Sequence, residues 1–134
     1  VHVEQAVRAV TLVTQVGSVL PLLGSSTGLV FNAFMPNAET AQLREAELKL
    51  PSAPTPDALL HTMSELQRTH IQPVHGLLMA GVNALSAPLF SGDQRLAGVI
   101  TIVGGEPGFM AEADGDAAKR LREVARKISA RMGG

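Results

Sequence analysis

The chain of 134 residues has no Cys, no Trp and no Tyr, and only four Phe. Without thiols there is no disulfide, no thiolate-held zinc or iron–sulfur cluster and no cysteine nucleophile. Four aromatic rings are too few for a platform on which nucleic-acid bases stack. An excess of basic charge is missing as well: the formal net charge is −1, which is not the footprint of a module that grips nucleic acid by itself. No apolar run approaches the ~18 residues of a membrane-spanning helix. The opening Val1-His2-Val3-Glu4 has neither the basic region nor the apolar stretch of a secretory leader, so a cytoplasmic location is expected and no membrane partner. Glycine loops of the G-x-G-x-x-G or P-loop kind are also absent. Gly104-Gly105 runs into Glu106-Pro107 rather than into a helix that cradles phosphate.

What is present points to one folded unit. The length fits a single domain, and a chain of this size buries roughly two-thirds of the surface its unfolded form exposes. Val and Thr dominate residues 6–16, which reads as a strand followed by a turn at Gly17-Ser18. Gly24-Ser25-Ser26-Thr27 ahead of the apolar run 28–35 is a helix start, and Pro36 ends that run. Residues 39–50 favour a helix with a weak stripe of Ala41, Leu43 and Leu48. Pro51, Pro54 and Pro56 make a loop, and Pro56 suits the entry to a helix with one apolar face of Leu59, Leu60, Met63 and Leu66. Residues 71–78 are ambiguous. The runs 82–90 and 96–103 around Ser91-Gly92-Asp93-Gln94-Arg95 form a hairpin, with Pro88 expected at an edge or bulge and Gly104-Gly105 expected to break the second strand. From Asp116 onward Ala117, Leu121, Val124, Ala125, Ile128 and Met132 mark one face of a helix. This order predicts an α+β fold, an antiparallel sheet with helices packed on it.

The chemistry-bearing residues are few. His2, His61, His70 and His75 are the four imidazoles, and their spacing matches no metal motif, so satisfied or solvated histidines account for them better than a metal site. Ser25, Ser26, Ser86 and Ser91 lie in neither G-x-S-x-G nor S-x-x-K. A hydrolase built on Ser86 or on a histidine-held metal stays an alternative reading, and its discriminator is a His within hydrogen-bond reach of Ser86. Lys119, Arg120, Arg122, Arg126, Lys127 and Arg131 share the last helix, where a solvated face explains them more simply than nucleic acid. Ser25 to Gly28 is the unit that survives. It sets hydroxyls and unpaired amides at a helix N-terminus, which favours a small carboxylate and equally suits plain capping.

Several blocks, taken together, resemble one family. Val16-Gly17-Ser18-Val19-Leu20-Pro21-Leu22, Ser26-Thr27-Gly28 and Ala33-Phe34-Met35-Pro36 stand in order. Gly81-Val82-Asn83-Ala84-Leu85-Ser86-Ala87-Pro88-Leu89-Phe90 follows, and then Leu96-Ala97-Gly98-Val99-Ile100-Thr101-Ile102-Val103-Gly104. In content and spacing they are similar to the C-terminal effector-binding domain of IclR-type transcriptional regulators, across nearly the whole chain. The resemblance implies a GAF-like α+β fold over residues 1–134 with a ligand pocket on one side of the sheet, no cofactor, no metal and no enzymatic activity. It implies a small organic acid as effector and self-association into a homodimer or tetramer. DNA is expected to be met only through an N-terminal winged helix-turn-helix domain that this chain lacks. The start within an apolar alternating segment, without Met, agrees with a piece of a longer protein.

Pocket positions carry over residue by residue. Ser26 and Thr27 stand where relatives place two small residues at the start of the pocket helix. Ala84 stands where relatives that bind short oxo-acids have Cys. Thr101 matches one of two hydroxyls on the last strand, and Val103 replaces the other. Leu12 matches an apolar wall position, and Val74 falls near a position where an Asp is expected. Three polar anchors are thus lost, which shifts the expected ligand from a short acid such as glyoxylate to a larger, more apolar one, aromatic acids included, rewarded by about 25 cal/mol per Å² of apolar surface removed from water. Arg8 is expected on the first strand, facing solvent. A ligand-free oligomerisation module is the remaining alternative.

Overall fold

The computed structural model describes residues 2–5, 10–14, 21–76, 80–105, 109 and 111–133, the first two segments by their backbone alone. The elements are β1 (His2–Gln5), β2 (Val10–Thr14), α1 (Ser26–Phe34), α2 (Asn37–Leu48), α3 (Pro56–Thr69), β3 (Gln72–His75), β4 (Val82–Phe90), β5 (Leu96–Gly105) and α4 (Asp116–Arg131). The strands form a five-stranded sheet in the order β1-β2-β5-β4-β3, and every neighbouring pair is antiparallel. The α+β expectation holds. Within the span expected as one strand, the described residues include β2. Another strand, β1, precedes it, and the ambiguous stretch after residue 71 supplies β3. Gly17-Ser18 and Arg8 lie outside the described residues.

The β4–β5 hairpin is the backbone of the fold. Its loop closes by Ser91 N–H donating to the Arg95 carbonyl at 2.9 Å and Gln94 N–H to the Ser91 carbonyl at 2.9 Å. The left-handed residue there is Gln94 (φ 64°) rather than Gly92. Pro88 pairs with Val99 on one side. On the other side β3 ends at Gln72, opposite Ser86, so the missing N–H of Pro88 faces an open edge and removes no ladder bond. Gly104-Gly105 does not break β5, contrary to expectation. Gly104 is paired with both Asn83 and Val10, and Gly105 with Val82, and these ladder partners outweigh the low strand preference of glycine.

Alternation along β4 and β5 divides the core in two. Leu85, Ala87, Ile100 and Ile102 meet Ala118, Leu121 and Ala125 of α4, with Ile71, Phe109 and Ala111. On the opposite face Val74 and Val99 pack against Leu22, Leu23, Leu29, Val30, Leu59 and Leu66 from α1, α3 and the loop before α1. The buried stripe of α4 is Ala118, Leu121, Ala125 and Ser129; Leu121 and Ala125 are as expected, Ala118 and Ser129 were not foreseen, and the expected Val124 and Met132 are 45% and 40% exposed. Small residues let α4 lie close to the sheet, and the Ser129 hydroxyl accepts the Phe90 N–H at 2.9 Å where β4 ends. On α3 Leu59 and Leu66 are buried, but Leu60 is 67% exposed. On α2 the one buried residue is Thr40, and Leu43 faces solvent.

Local chemistry starts and stops these helices. Thr55 caps α3 by accepting the Ala58 N–H at 3.2 Å, and Pro56 takes the first helical position, where no N–H is needed. The α3 helix stops at His70, which adopts a left-handed φ of 58° and donates its N–H to the Leu66 carbonyl. Its ring contacts Phe34 edge-on at 5.2 Å and Phe90 at 5.5 Å. The residue stays exposed overall, but partial shielding of its ring from water lowers the His70 pKa. The unfolded chain therefore takes up this proton at higher pH than the folded one. The stability tied to neutral His70 is present above pH ~6.5 and is lost as pH falls through the depressed folded value. Urea unfolding at pH 7.5 and 5.5 should show a smaller drop in stability for His70→Asn, a residue that tolerates the left-handed turn, than for the unchanged chain. Equal drops would remove His70 as the cause.

Candidate functional site

Five of the six expected ligand residues, all but Leu12, meet where α1 begins against the central strands. Ser25, extended and buried, caps α1 by accepting the Gly28 N–H at 2.9 Å and donates its own proton to the Pro21 carbonyl at 2.7 Å. That turn leaves Ser26 and Thr27 on the first turn of the helix, over the sheet. Directly beneath them, Ser86 of β4 pairs with Thr101 of β5. The four side chains join into one chain of hydroxyls. Ser86 Oγ donates to Ser26 Oγ at 2.8 Å, Ser86 and Thr101 meet at 2.6 Å, and Thr101 and Thr27 meet at 2.7 Å. Ser26 and Ser86 are buried, whereas Thr27 and Thr101 are half-buried.

A hydroxyl carries one proton. With the Ser86 proton committed to Ser26, Thr101 must donate to Ser86, and Thr27 to Thr101. The relay therefore runs one way and ends, at its accessible end, in the lone pairs of Thr27. Beside that end the N–H groups of Ser26 and Thr27, first in the helix, have no intrahelical acceptor. The site offers acceptors and donors side by side, which suits a ligand that brings both.

Ala84 pairs with Val103, one step along the same face from Ser86 and Thr101, so the two apolar substitutes stand together next to the relay. Val74 pairs with Ala84 from β3. On the far side of β5, the β2 backbone places Val13 opposite Thr101, Thr11 opposite Val103, and Leu12 between them, opposite Ile102. Leu12 is thus known by its register, which is not that of Thr101 or Val103, and its side chain lies outside the described residues. The structure brings Ser26, Thr27, Ala84, Thr101 and Val103 into one neighbourhood and adds Ser86, which sequence reasoning considered solely as a nucleophile. The available signal was parity: Ala84 and Ser86 are two apart on one strand.

Ser86 hydrogen-bonds to Ser26 and Thr101, and neither is a base. Among the described residues no group of three His, Asp or Glu is placed to hold a metal. No helix among them is long and apolar enough to cross a membrane. Among the described residues, an open groove of about 930 Å³ runs between α1, α2, α3 and β3, lined by Leu29, Leu43, Glu47, Leu50, Leu59 and Val74. Another, of about 440 Å³, is bordered by Arg68, His70, Phe90, Arg122 and Arg126. None of the relay residues lines either.

Comparison with known proteins gives a consistent picture. A family model described as "Bacterial transcriptional regulator IclR C-terminal" matches residues 1–130. Comparison with curated proteins found no match. Among solved structures, Pseudomonas aeruginosa HmgR is 55% identical, with a TM-score of 0.83 over 97% of this chain and 52% of that one. The chain thus spans about half the length of that regulator. The C-terminal domain of the E. coli transcriptional regulator KdgR superposes with a TM-score of 0.72 at 20% identity, over 99% of this chain and 87% of that one. The inducer-binding domain of Acinetobacter PobR, solved as a double mutant in complex with 3-hydroxybenzoic acid, gives 0.69 at 17% identity, over 82% and 68% of the two chains. At the last two identities the likeness concerns the fold.

Proposed function

Because the chain belongs to the IclR family of bacterial transcriptional regulators through their C-terminal domain, we propose that it senses a small, aromatic organic acid at the relay end formed by Thr27 and Thr101. The family consists of transcriptional regulators rather than enzymes, and Ser86 serves as an inner link of a hydroxyl relay rather than as an activated nucleophile. The observation that carries the reading is the half-buried end of that relay, at the start of α1, where the first amides have no intrahelical acceptor. The ligand's carboxylate takes the amides, where the helix dipole favours an anion. A ligand hydroxyl donates to the Thr27 lone pairs. Ala84 and Val103 favour the ring over a short polar acid. The PobR inducer-binding domain solved with a hydroxylated benzoic acid supports the same ligand class.

In this reading the pocket acts through population. The acid binds one arrangement of a homodimer or tetramer better than another, and DNA-binding domains elsewhere in the full-length regulator feel the shift. Calorimetry with 3-hydroxybenzoate, benzoate, pyruvate and glyoxylate tests it. Heat and a raised melting temperature are expected with the aromatic acids, 3-hydroxybenzoate binding more tightly than benzoate. Silence from all four acids would sink the reading. Thr101→Val keeps the shape but cuts the relay between Thr27 and Ser86, and should weaken 3-hydroxybenzoate about tenfold, the worth of a net hydrogen bond of ~1.4 kcal/mol. Unchanged affinity removes Thr101 from the site.

A further inference from the structure

Glu47 lies away from the hydroxyl relay, on the last turn of α2 at the wall of the 930 Å³ groove, and both its carboxylate oxygens are engaged. Oε2 accepts the Leu22 N–H at 2.7 Å and Oε1 accepts the Leu23 N–H at 2.8 Å. The carboxylate has no cation in contact among the described residues. It is a fork that grips two successive amides of the loop ahead of α1. Such charge-assisted bonds are short and directional.

That loop sets the site. The Pro21 and Leu22 carbonyls lie so close to Gly28 that a Cβ there would meet them at 2.2 and 2.4 Å. Ser25 ties the Pro21 carbonyl to the Gly28 amide, and Leu22 and Leu23 bury their side chains against Leu29 and Val30. The path from Glu47 to Leu22 and Leu23, through Ser25 and Gly28, to Ser26 and Thr27 runs through hydrogen bonds and buried side chains. We infer that Glu47 is a positioning residue for the effector site, clamping the loop that holds the Ser26 and Thr27 hydroxyls over Thr101 and tying their placement to α2. The effector half of this inference rests on the proposed function; the positioning half does not.

The coupling has a direction of use. Helix α2 has a single buried residue, Thr40, and a second polar tie, Arg44 donating to Asn32 of α1 at 2.9 Å. Of these two ties, the Glu47 fork is the one that reaches the loop under Ser26 and Thr27, and the Arg44 tie is not. By reciprocity of linkage, an acid bound at Thr27 tightens the loop on α2.

Glu47→Gln is nearly isosteric, retains one acceptor and turns an NH2 toward the other leucine amide. Arg44→Met is the control, since it loosens α2 without touching the loop. In ligand-free protein, amide NMR signals of Thr27 and Thr101 should move in Glu47→Gln and stay in place in Arg44→Met. With 3-hydroxybenzoate as probe, Glu47→Gln should bind about tenfold more weakly and lose ligand-induced exchange protection at Leu22 and Leu23, while Arg44→Met stays within twofold. Unmoved Thr27 and Thr101 signals would overturn the inference. So would wild-type affinity in Glu47→Gln, or an equal loss in both variants. If the unchanged chain ignores the acid while the Thr27 and Thr101 signals still move in Glu47→Gln, the ligand reading fails and the clamp stands.

Discussion

Gly28→Ala should destabilise the chain by about 3 kcal/mol or more, the upper range for forcing atoms into a packed interior. A helical glycine usually gains from this change by roughly 0.5–1 kcal/mol of helix preference. Here that gain is overwhelmed. The new methyl would lie 2.2 Å from the Pro21 carbonyl oxygen, 2.4 Å from that of Leu22 and 2.7 Å from the Leu22 Cα, all backbone that cannot rotate aside. The loop must lift, and its anchors resist: the Glu47 fork, the Ser25 tie and the buried Leu22 and Leu23. Urea unfolding would read the loss, and 3-hydroxybenzoate binding should fall with it because Ser26 and Thr27 ride on the same turn. A stability within 1 kcal/mol of the unchanged chain would mean that the loop is not pinned as described.

Leu85→Ala should cost 2–5 kcal/mol, the range for deleting a fully enclosed leucine. Leu85 is 0% exposed and sits in the cluster with Ile71, Phe109, Leu121 and Ala125. Its neighbours in sequence, Ala84 and Ser86, point to the other face. The two variants therefore separate fold from site. Leu85→Ala lowers the unfolding midpoint but, under conditions where it remains folded, should leave affinity for 3-hydroxybenzoate within about threefold. A larger loss of affinity would show that the α4 face of the sheet contributes to the pocket.

Much of this arrangement was legible from the chain itself. Ser and Thr before an apolar run mark α1, Pro56 marks α3, and the paired apolar runs mark the hairpin, because capping, proline geometry and alternation act locally. Resemblance then brought Ser26, Thr27, Ala84, Thr101 and Val103 to one place. What stayed hidden depends on contacts distant in sequence. Strand β3, Gln72–His75, contains Pro and two polar residues and is a strand because β4 pairs with it. Glu47 reads as one more solvated acid of a polar helix until the fold brings the amides of Leu22 and Leu23 to it. The α4 stripe was read correctly at Leu121 and Ala125 and missed elsewhere for a related reason. Hydrophobicity favours Val124 and Met132, whereas closeness to the sheet favours Ala118 and Ser129.

The short β3 has a consequence for how copies of this protein meet. Its four residues include Pro73, and the stretch of β4 beyond its end carries Pro88. Both rims of backbone on this side of the sheet are interrupted by a residue with no N–H to offer. A neighbouring chain cannot extend the sheet here as a continuous added strand. This border is therefore protected against edge-to-edge growth into fibrils, and ordered assembly on this side has to proceed through side chains of the helices and loops.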